Sequence, residues 1–336
     1  MKILVTGHTG FKGSWLTLML HSLGHEVHGY SLDPLAKGIF QLAKVSKVCK
    51  SDRRGDIRDK EKLDTELIEI QPEIVMHLAA QPLVLTSYEQ IYETYSTNVT
   101  GTLNVLDSAT RSKVLKGIVV ITTDKVYLND ETKRAFVESD TLGGKDPYSS
   151  SKAIADLLTQ DWSKHNRNVP VAIARAGNVI GGGDVSANRL IPDIVSSVAK
   201  GESPEIRNPM SVRPWQHVMD CLNGYIALID FILAGKSGSF NFGPAQGDFH
   251  TVEEVATYVL NRFGAGNWKR GQASVSKEAG FLMLDPTKAV KDLAWRNKLS
   301  FEEGLDLTVD WYIAAQRKQD MKAFSMKQIN NFEREK

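Results

Sequence analysis

The start of the chain carries the feature that most restricts its fold, a short apolar run followed at once by regularly spaced glycines. Residues 2 to 6 predict a buried strand. The glycines that follow are three residues apart, at Gly7, Gly10 and Gly13. Residues 14 to 23 then carry apolar side chains at helical spacing, and Gly24 is placed to end that helix. This order predicts an α/β fold in which the glycine turn lets the backbone approach a pyrophosphate.

A second predicted strand, residues 27 to 32, ends just before Asp33. Asp33 lies twenty residues after Gly13, where a carboxylate can accept hydrogen bonds from an adenosine ribose. A carboxylate at that point would repel a 2′-phosphate, so the pattern favours NAD over NADP as cofactor. The charge of the pyrophosphate would be met by N–H groups at the start of the helix. Phe11 and Lys12, between the second and third glycines, are therefore candidate cofactor contacts.

Three later apolar runs, residues 73–80, 116–122 and 169–176, also predict buried strands. Strands and helices alternate up to this point, which predicts an α/β protein with a Rossmann-type, doubly wound parallel sheet. Ligands of such sheets bind beyond the carboxyl ends of the strands. The further candidate cofactor contacts are Asp56, Ile57, Leu78, Ala79, Ala80, Asn98, Thr122 and Ala176.

Several polar residues in this half allow a structural interpretation as well. Asp56 either contacts an adenine amino group or caps the next helix. Asn98 lies in the helical pattern of residues 87–110 and either hydrogen-bonds backbone near the sheet or faces solvent. His77 lies inside a strand and is interpreted as a core histidine. The apolar stripes of residues 87–110 and 148–164 indicate packing, and side by side they predict a homodimer face.

Tyr148 and Lys152 are the candidate catalytic pair. They stand four residues apart in a predicted helix, and so share one face of it; Pro147 suits the first turn of that helix. A free tyrosine has a pKa of about 10, and a nearby ammonium lowers that value. The pair is therefore a candidate proton acceptor for an alcohol being oxidised. Thr123, Asp124 and Lys125 follow a strand end and are candidates for the same site.

The second half of the chain has a less regular pattern. Residues 1–176 predict mainly an NAD-binding domain, and residues 177–336 mainly a smaller mixed α/β substrate-binding lobe with some segments that return to the sheet. Four glycines in the segment 177–184 indicate either close backbone approach or a moving lid. Arg189, Arg207 and Arg213 are dispersed among prolines and together could bind a diphosphate.

Composition narrows the class of protein. The net charge of +1 gives no argument for binding nucleic acid or a membrane surface. Cys49 and Cys221 are far apart and have no His or Cys neighbours at metal-ligand spacing, so no disulfide framework and no metal site are predicted. The N-terminal apolar run is too short for a signal peptide or a membrane span, and we expect a cytoplasmic protein.

These motifs together resemble the extended short-chain dehydrogenase/reductase family and, within it, the nucleotide-sugar 4,6-dehydratases. The resemblance covers nearly the whole chain and is carried by residues 6–13, 122–127 and 175–178 and by the Tyr148–Lys152 pair. Five further segments are similar to the subgroup of these enzymes that acts on CDP-glucose. They are residues 7–16, 29–32, 77–82, 181–184 and 213–218.

The resemblance implies a lyase that removes water from a nucleotide sugar through an internal NAD redox cycle. By it, Tyr148 takes the proton of the sugar 4-hydroxyl while hydride passes from C4 to NAD, water leaves from C5 and C6, and hydride returns to C6. It implies that Thr123 hydrogen-bonds the 4-oxygen, Asp124 protonates the departing 6-hydroxyl and Lys152 holds the nicotinamide ribose. It also implies substrate contacts by Gln81, Asn178, Arg189, Arg213 and His217.

The chain departs from the pattern of the family at two places. Most members of the family have a glutamate at the position of Lys125, and that glutamate acts as the C5 base. The CDP-glucose subgroup resembles this chain in having a lysine there, which either acts as the base or stabilises an enolate. Val185 and Asn188 replace a tryptophan and an aspartate, which leaves GDP-mannose and dTDP-glucose as alternative substrates. A nucleotide-sugar 4-epimerase would need no acid at C6, and a non-catalytic NAD sensor would normally lose Tyr148 or Lys152.

Overall fold

The computed structural model describes residues 1–129, 134–244, 250–271 and 282–334. The strands are β1 Lys2–Thr6, β2 Glu26–Ser31, β3 Ser51–Arg54, β4 Ile74–His77, β5 Gly117–Ile121, β6 Val171–Ala176, β7 Val179–Ile180, β8 Glu205–Ile206, β9 Val212–Arg213, β10 Gln216–His217, β11 Gly238–Phe242, β12 His250–Thr251 and β13 Lys269–Arg270. The α-helices are α1 Phe11–Ser22, α2 Ile39–Leu42, α3 Lys60–Ile70, α4 Val84–Glu89, α5 Ile91–Tyr95, α6 Gly101–Ala109, α7 Pro147–His165, α8 Leu190–Lys200, α9 Val218–Leu233, α10 Val252–Phe263, α11 Thr287–Leu293, α12 Phe301–Gln316 and α13 Met321–Arg334. None of the helices in these ranges is long and apolar enough to cross a membrane.

The central sheet has seven strands in the order β11-β6-β5-β4-β1-β2-β3, and every neighbouring pair is parallel. β1 pairs with β2 on one side and with β4 on the other, so the direction in which strands are added reverses at β1. Such a reversal opens a crevice at the carboxyl ends of the strands. The predicted Rossmann-type, doubly wound sheet is confirmed.

Both faces of the sheet are covered, as its nearly continuous apolar strands require. Side chains alternate along β1, so that Ile3 and Val5 join one apolar cluster and Leu4 joins another. The first cluster is completed by side chains of α1, α9 and α12, including Trp15 and Trp311. The second is completed by side chains of α3 and α6. This two-sided burial fixes the strand ends that carry the candidate site.

One segment of the second half returns to the sheet. β11 pairs with β6 over the register from Gly238–Ala172 to Phe242–Ala176, and so extends the sheet at its edge. The other short strands form three two-stranded sheets, β10-β7, β12-β9 and β13-β8. β7, β8 and β9 lie along the cleft that holds the candidate site.

The helical pattern of residues 87–110 is not one helix. A break at Gln90 separates α4 from α5, and a π-helical turn, Ser96–Thr100, precedes α6. Asn98 lies in that turn with its side chain buried. Its Oδ1 accepts from the backbone N–H of Gln81 at 2.8 Å, and its Nδ2 donates to the carbonyl of Gln81 at 3.1 Å. The widened turn thus places an amide where it satisfies the loop after β4, in agreement with one of the two interpretations of Asn98.

The glycine segment 177–184 packs tightly against the rest of the protein. A Cβ at Gly182 would lie 2.0 Å from Cγ of Trp311, and one at Gly181 would lie 2.6 Å from Cγ1 of Val218. Trp15 also donates from Nε1 to the Gly182 carbonyl at 2.9 Å. Residues 181–184 are buried. Of the two predictions for this segment, close backbone approach is therefore confirmed.

Candidate active site

The glycine turn after β1 fits a dinucleotide pyrophosphate. Gly7 has a φ of +75°, and a Cβ at Gly13 would lie 2.1 Å from the Gly7 carbonyl oxygen, so larger residues would disrupt the turn. α1 begins after Gly10 without a capping side chain and has no acidic residue in its first turn. The free N–H groups of that first turn and the helix dipole favour an anion at this point. Glycine turn and helix start both line the cleft.

The cleft is a cavity of about 700 Å³ along the carboxyl ends of the sheet strands. Most of the site residues predicted from sequence line it. They are Gly7, Gly10, Phe11, Lys12, Gly13, Asp56, Ile57, Leu78, Ala79, Ala80, Thr122, Thr123, Asp124, Lys125, Tyr148, Lys152, Ala176, Asn178, Arg189, Arg207 and Arg213. The structure therefore brings the predicted cofactor, catalytic and diphosphate groups into one space.

Asp33 is not on the cavity wall. β2 ends two residues earlier at Ser31, and the Asp33 side chain is 92% exposed with an Arg54 contact of 3.3 Å. The Thr9 hydroxyl bonds Ser31 Oγ at 2.7 Å and donates to the Leu32 carbonyl at 3.0 Å. These bonds hold the strand end against the glycine turn, so Ser31 and Leu32 line the cavity instead. Asp33 thus lies off the cavity wall, where the Ser31 hydroxyl marks the end of β2, and its predicted contact with an adenosine ribose stays a prediction.

Gln81 and Asn98 also lie off the cavity wall, and their amides are used within the protein. Gln81 accepts from the Leu83 N–H at 2.6 Å and donates to Thr94 Oγ1 at 2.9 Å. Asn98 lies behind it and also donates to Ser151 Oγ at 2.9 Å. In this structure the two side chains shape the loop after β4 and do not reach the cleft.

The two strand-end histidines are structural. His217 is buried, caps α9 by accepting from the Met219 N–H at 3.3 Å, and does not line the cleft. His77 is buried between the hydroxyls of Thr6 at 2.8 Å and Thr102 at 3.0 Å. Burial lowers the pKa of each imidazole to about 3. The core interpretation of His77 is confirmed, whereas His217, which the resemblance makes a substrate contact, lies off the cleft wall.

Asp56 lines the cleft but does not cap the next helix. Asp59 does so, since its carboxylate accepts from the Lys62 N–H at 3.1 Å. The Asp56 carboxylate accepts instead from the Arg58 backbone N–H at 2.8 Å and from the Arg58 guanidinium at 2.7 Å. Both residues face the cavity beside Ile57, where an adenine would bind.

Tyr148 is held at the first turn of α7. The carboxylate of Asp146 caps this helix by accepting from the Ser149 N–H at 2.9 Å, and Pro147 occupies the first turn as predicted. The Tyr148 N–H donates to Ser87 Oγ at 3.1 Å. Burial raises the pKa of the phenol to about 12, although a hydrogen bond with Thr123 opposes this. Without ligands the phenol is therefore neutral.

Lys152 lies one helical turn further on, fully enclosed. Its ammonium donates to the Ile121 carbonyl at 2.8 Å. Burial lowers the pKa of Lys152 to about 8, and the charge of Asp156 partly opposes this. The prediction that Lys152 depresses the Tyr148 pKa is not met in this arrangement, because burial of the phenol dominates and the ammonium is bonded to the strand.

Asp124 is the buried carboxyl of the site. Its Oδ1 accepts from Thr123 Oγ1 at 2.9 Å. No other residue that the structure describes gives a hydrogen bond to its Oδ2. Burial raises the pKa of Asp124, while Lys125 and Arg213 oppose that shift. A carboxyl with a raised pKa and an unused oxygen on the cavity wall suits a proton donor.

A buried ion pair supports this end of the cleft, and sequence reasoning missed it. Arg175 bonds both oxygens of Asp156, at 2.8 and 2.7 Å. Thr122 Oγ1 donates to Asp156 Oδ2 at 2.9 Å, which ties the pair to the end of β5. The spacing offered a signal, because Asp156 follows Lys152 by one helical turn and so lies on the face of Tyr148.

The opposite wall comes from the second half of the chain. Arg213 is buried and donates to the Val212 carbonyl at 3.0 Å, and Arg189 lies 3.8 Å from Asp184. The two departures from the family pattern, Val185 and Asn188, lie just before Arg189 in the chain, and Asn188 lines the cavity. Sequence reasoning missed further wall residues that no motif marks: Leu35, Thr97, Leu190, Ile191, Pro204, Glu205, Asn208 and Ser211.

Comparison with known proteins gives the family. The model of the GDP-mannose 4,6 dehydratase family matches residues 4–308. The CDP-glucose 4,6-dehydratase of Salmonella typhimurium is 41% identical over 344 aligned positions, which cover 98% of this chain and 96% of that protein. These matches run through both walls of the cleft.

Solved structures agree with the fold. The dTDP-glucose 4,6-dehydratase of Streptomyces venezuelae with NAD bound superposes with a TM-score of 0.82 at 26% identity, covering 96% of this chain and 100% of that one. The UDP-glucose 4-epimerase of Thermus thermophilus in complex with NAD gives the same TM-score and identity, with 94% and 100% covered. Fold alone thus does not separate the two reactions. This chain belongs to the GDP-mannose 4,6-dehydratase family of nucleotide-sugar dehydratases.

Proposed function

We propose that this protein is an NAD-dependent hydro-lyase that converts CDP-glucose to CDP-4-keto-6-deoxyglucose and water. The observation that carries the reaction class is Asp124, an enclosed carboxyl with a free Oδ2 on the same cavity wall as Tyr148. The nucleotide is supported by the Salmonella relative, whose similarity extends over nearly the whole of both chains.

The first half of the chain would hold the cofactor. The turn Gly7–Gly13 would receive the pyrophosphate, Asp56 and Ile57 the adenine end, and Lys152 the nicotinamide ribose. When bound, NAD supplies a hydride acceptor that returns the hydride within one cycle. In this division of the chain, residues 1–176 mainly bind NAD and residues 177–336 mainly bind the substrate.

Tyr148 would take the proton of the sugar 4-hydroxyl. In the ligand-free structure its pKa of about 12 is too high for this at neutral pH, and the hydrogen bond with Thr123 is the main interaction that favours the phenolate. The phenol must therefore lose its own proton before it can accept the proton of the 4-hydroxyl, and bound ligands have to lower its pKa for this to happen at neutral pH. Thr123, which donates to Asp124 in the ligand-free structure, would turn its hydroxyl to the 4-oxygen as the ketone forms.

Asp124 would protonate the departing 6-hydroxyl. Its raised pKa keeps the carboxyl protonated to a higher pH than an exposed aspartate would allow. Lys125 lies beside it on the cavity wall. It would either take the C5 proton as a neutral amine, or stabilise the enolate by its positive charge while that proton passes to water. A 4-epimerase has no hydroxyl to expel and no use for this acid, which favours the dehydratase.

The test is an incubation of the purified protein and NAD with CDP-glucose, dTDP-glucose, GDP-mannose and UDP-glucose in parallel. We expect CDP-glucose to give a 4-keto product that absorbs in alkali. Asp124→Asn should exchange the C5 proton with solvent deuterium but release little water, because the acid at C6 is missing. Loss of water from another nucleotide sugar alone would overturn the substrate, and C4 inversion without water loss would overturn the reaction class.

The proposal includes a homodimer in the cytoplasm and a role in deoxysugar synthesis, as for O-antigen. Apolar side chains on α5, α6 and α7 are exposed, with Tyr92 at 78% and Leu157 at 51%. Burying such a face against a second copy would remove apolar surface from water. Cys49 and Cys221 are both free thiols, which suits a reducing compartment. Sedimentation of the protein and of Leu157→Lys tests the dimer; an unchanged dimer in the variant would exclude this face.

A further inference from the structure

Lys12 is the one charged side chain of the glycine turn. It lines the cleft, and its ammonium contacts a side chain of α9. Its Nζ donates to the phenol oxygen of Tyr225 at 3.3 Å and lies 5.8 Å from the centre of that ring. Tyr225 is fully buried in α9, on the side of the sheet that α1 covers. The contact therefore fixes a positive charge at the boundary between the glycine turn and the sheet.

This charge lies at the catalytic end of the cavity. Lys12 lines the cavity together with Asp124, Tyr148 and Lys152. Burial lowers the pKa of Lys152, and the charge of Lys12 adds to that lowering. Burial raises the pKa of Asp124, and Lys12 is among the cations that oppose the shift. Burial raises the pKa of the Tyr225 phenol, and the charges of Tyr148 and Asp124 add to that rise.

The catalytic end carries more positive than negative charge. Three ammonium groups line it, those of Lys12, Lys125 and Lys152. Asp124 is the carboxyl beside them, and its burial favours the neutral acid. Asp156 is nearby, but its carboxylate is already paired with Arg175. Charges in a part-buried site interact over several ångströms with little screening by salt.

We propose that Lys12 makes this site bind the reduced, uncharged nicotinamide ring more tightly than the oxidised, cationic ring. The two forms of the cofactor differ by one hydride: addition of a hydride to the oxidised ring removes its positive charge and changes nothing else in the dinucleotide. A fixed ammonium at this end disfavours the cationic form only. Removal of hydride from the sugar C4 therefore becomes easier, at the expense of weaker binding of the oxidised cofactor.

The competing role for Lys12 is attraction of the pyrophosphate by its charge. The pyrophosphate is the same in both oxidation states, so that role predicts equal effects on NAD⁺ and NADH. The ratio of the two dissociation constants separates the two roles. This inference rests on the proposed cofactor and is independent of the sugar nucleotide.

The experiment measures Kd for NAD⁺ and for NADH by calorimetry, without sugar, on cofactor-free protein and its variants. In Lys12→Met we expect the ratio Kd(NAD⁺)/Kd(NADH) to fall about tenfold, the order expected for removing one charge at several ångströms. Lys12→Arg and Tyr225→Phe keep the charge and should keep the ratio within about twofold. Lys62→Met removes a charge from the exposed surface of α3 and is the matched control.

Equal changes in both constants, or no change in the ratio, would overturn the inference and leave the proposed dehydratase intact. A ratio that falls equally in Lys62→Met would also overturn it, because net charge would then be the cause. Binding of neither nucleotide by the wild-type protein would overturn the proposed cofactor and this inference together. Lys12→Gln repeats the test with a polar residue in case Lys12→Met does not fold.

Discussion

The two walls of the cleft are built differently. On the wall from the first half of the chain, the catalytic side chains follow a strand end or lie on the first turns of a helix, and hydrogen bonds hold two of them. Lys152 donates to Ile121 at 2.8 Å, and Asp124 accepts from Thr123 at 2.9 Å. The wall from the second half is built from strands two residues long, the segment 186–189 and the first turns of α8, and the carboxylate of Asp184 lies 3.8 Å from Arg189.

The difference indicates that the first wall carries out the proton transfers and that the second wall selects the substrate. Groups held by backbone of the central sheet keep their geometry without a ligand, which suits proton transfer at a fixed point. The arginines of the second wall lie outside the central sheet, at the start of α8 and on the two-residue strand β9, and their guanidinium groups suit selection of an anionic substrate. If so, changes on the first wall should alter turnover, and changes on the second wall should alter KM.

The largest effect is expected at the phenol of the first wall. Tyr148→Phe removes the proton acceptor but keeps the buried ring in the first turn of α7. We expect kcat to fall about 10²- to 10⁴-fold, the usual contribution of a positioned acid or base, with KM changed little. Steady-state kinetics on CDP-glucose measures both constants.

The matched control is Tyr88→Phe, which removes the hydroxyl of an exposed tyrosine on the neighbouring α4. It should leave both constants unchanged. If Tyr148→Phe instead raises KM and spares kcat, the phenol binds substrate and the proposed division between the walls is wrong.

The second prediction uses the buried ammonium of the same wall. Burial lowers the pKa of Lys152 from about 10.5 to about 8, so between these values the folded protein holds fewer protons at this residue than the unfolded chain. Stability contributed by this group therefore rises with pH through that window, and it is flat below pH 8. The free energy of unfolding of wild type relative to Lys152→Met should increase by about 2 kcal/mol between pH 7.5 and pH 10.

Urea unfolding of the cofactor-free protein at the two pH values gives these differences. Arg189→Met is the control from the other wall, because a guanidinium does not titrate in this range and the difference should stay constant. A constant difference for Lys152→Met as well would mean that the ammonium is solvated in the absence of ligand and that the first wall is not preorganised.

The residues of the first wall were also the ones that could be predicted best from the sequence, because local sequence patterns mark them. Its determinants are short-range: a strand followed by glycines, polar residues after a strand, and Tyr148 four residues before Lys152. These patterns predicted the sheet, the turn and the catalytic groups of the cavity. Asp33 shows the limit, since its exclusion depends on where β2 ends, and the bonds of Thr9 to Ser31 and Leu32 decide that.

The remaining errors arise from burial and from distant contacts. Whether Lys152 or burial sets the Tyr148 pKa depends on side chains brought together by folding, which spacing along the chain does not reveal. His217 and Gln81 carry polar groups typical of a site, but Met219 and Leu83 use those groups within the protein. Glu205, Ile206 and Asn208 reach the cleft through the pairing of β8 with β13, more than sixty residues away, and no local motif marks them; their neighbour Arg207 was predicted from its charge.

The smallest effect is expected on the second wall, for Arg213→Lys. The charge is kept, but the planar fork that suits a diphosphate is lost, at a cost of about one hydrogen bond, or about 1 kcal/mol. KM for CDP-glucose should rise about fivefold and kcat should change less than twofold, because the first wall is untouched. Lys125→Arg, a charge-conserving change on the first wall, is the counterpart and should act mainly on kcat. Should Arg213→Lys lower kcat and leave KM unchanged, Arg213 would act with Asp124 on the departing hydroxyl, and the boundary between catalysis and selection would lie inside the second wall.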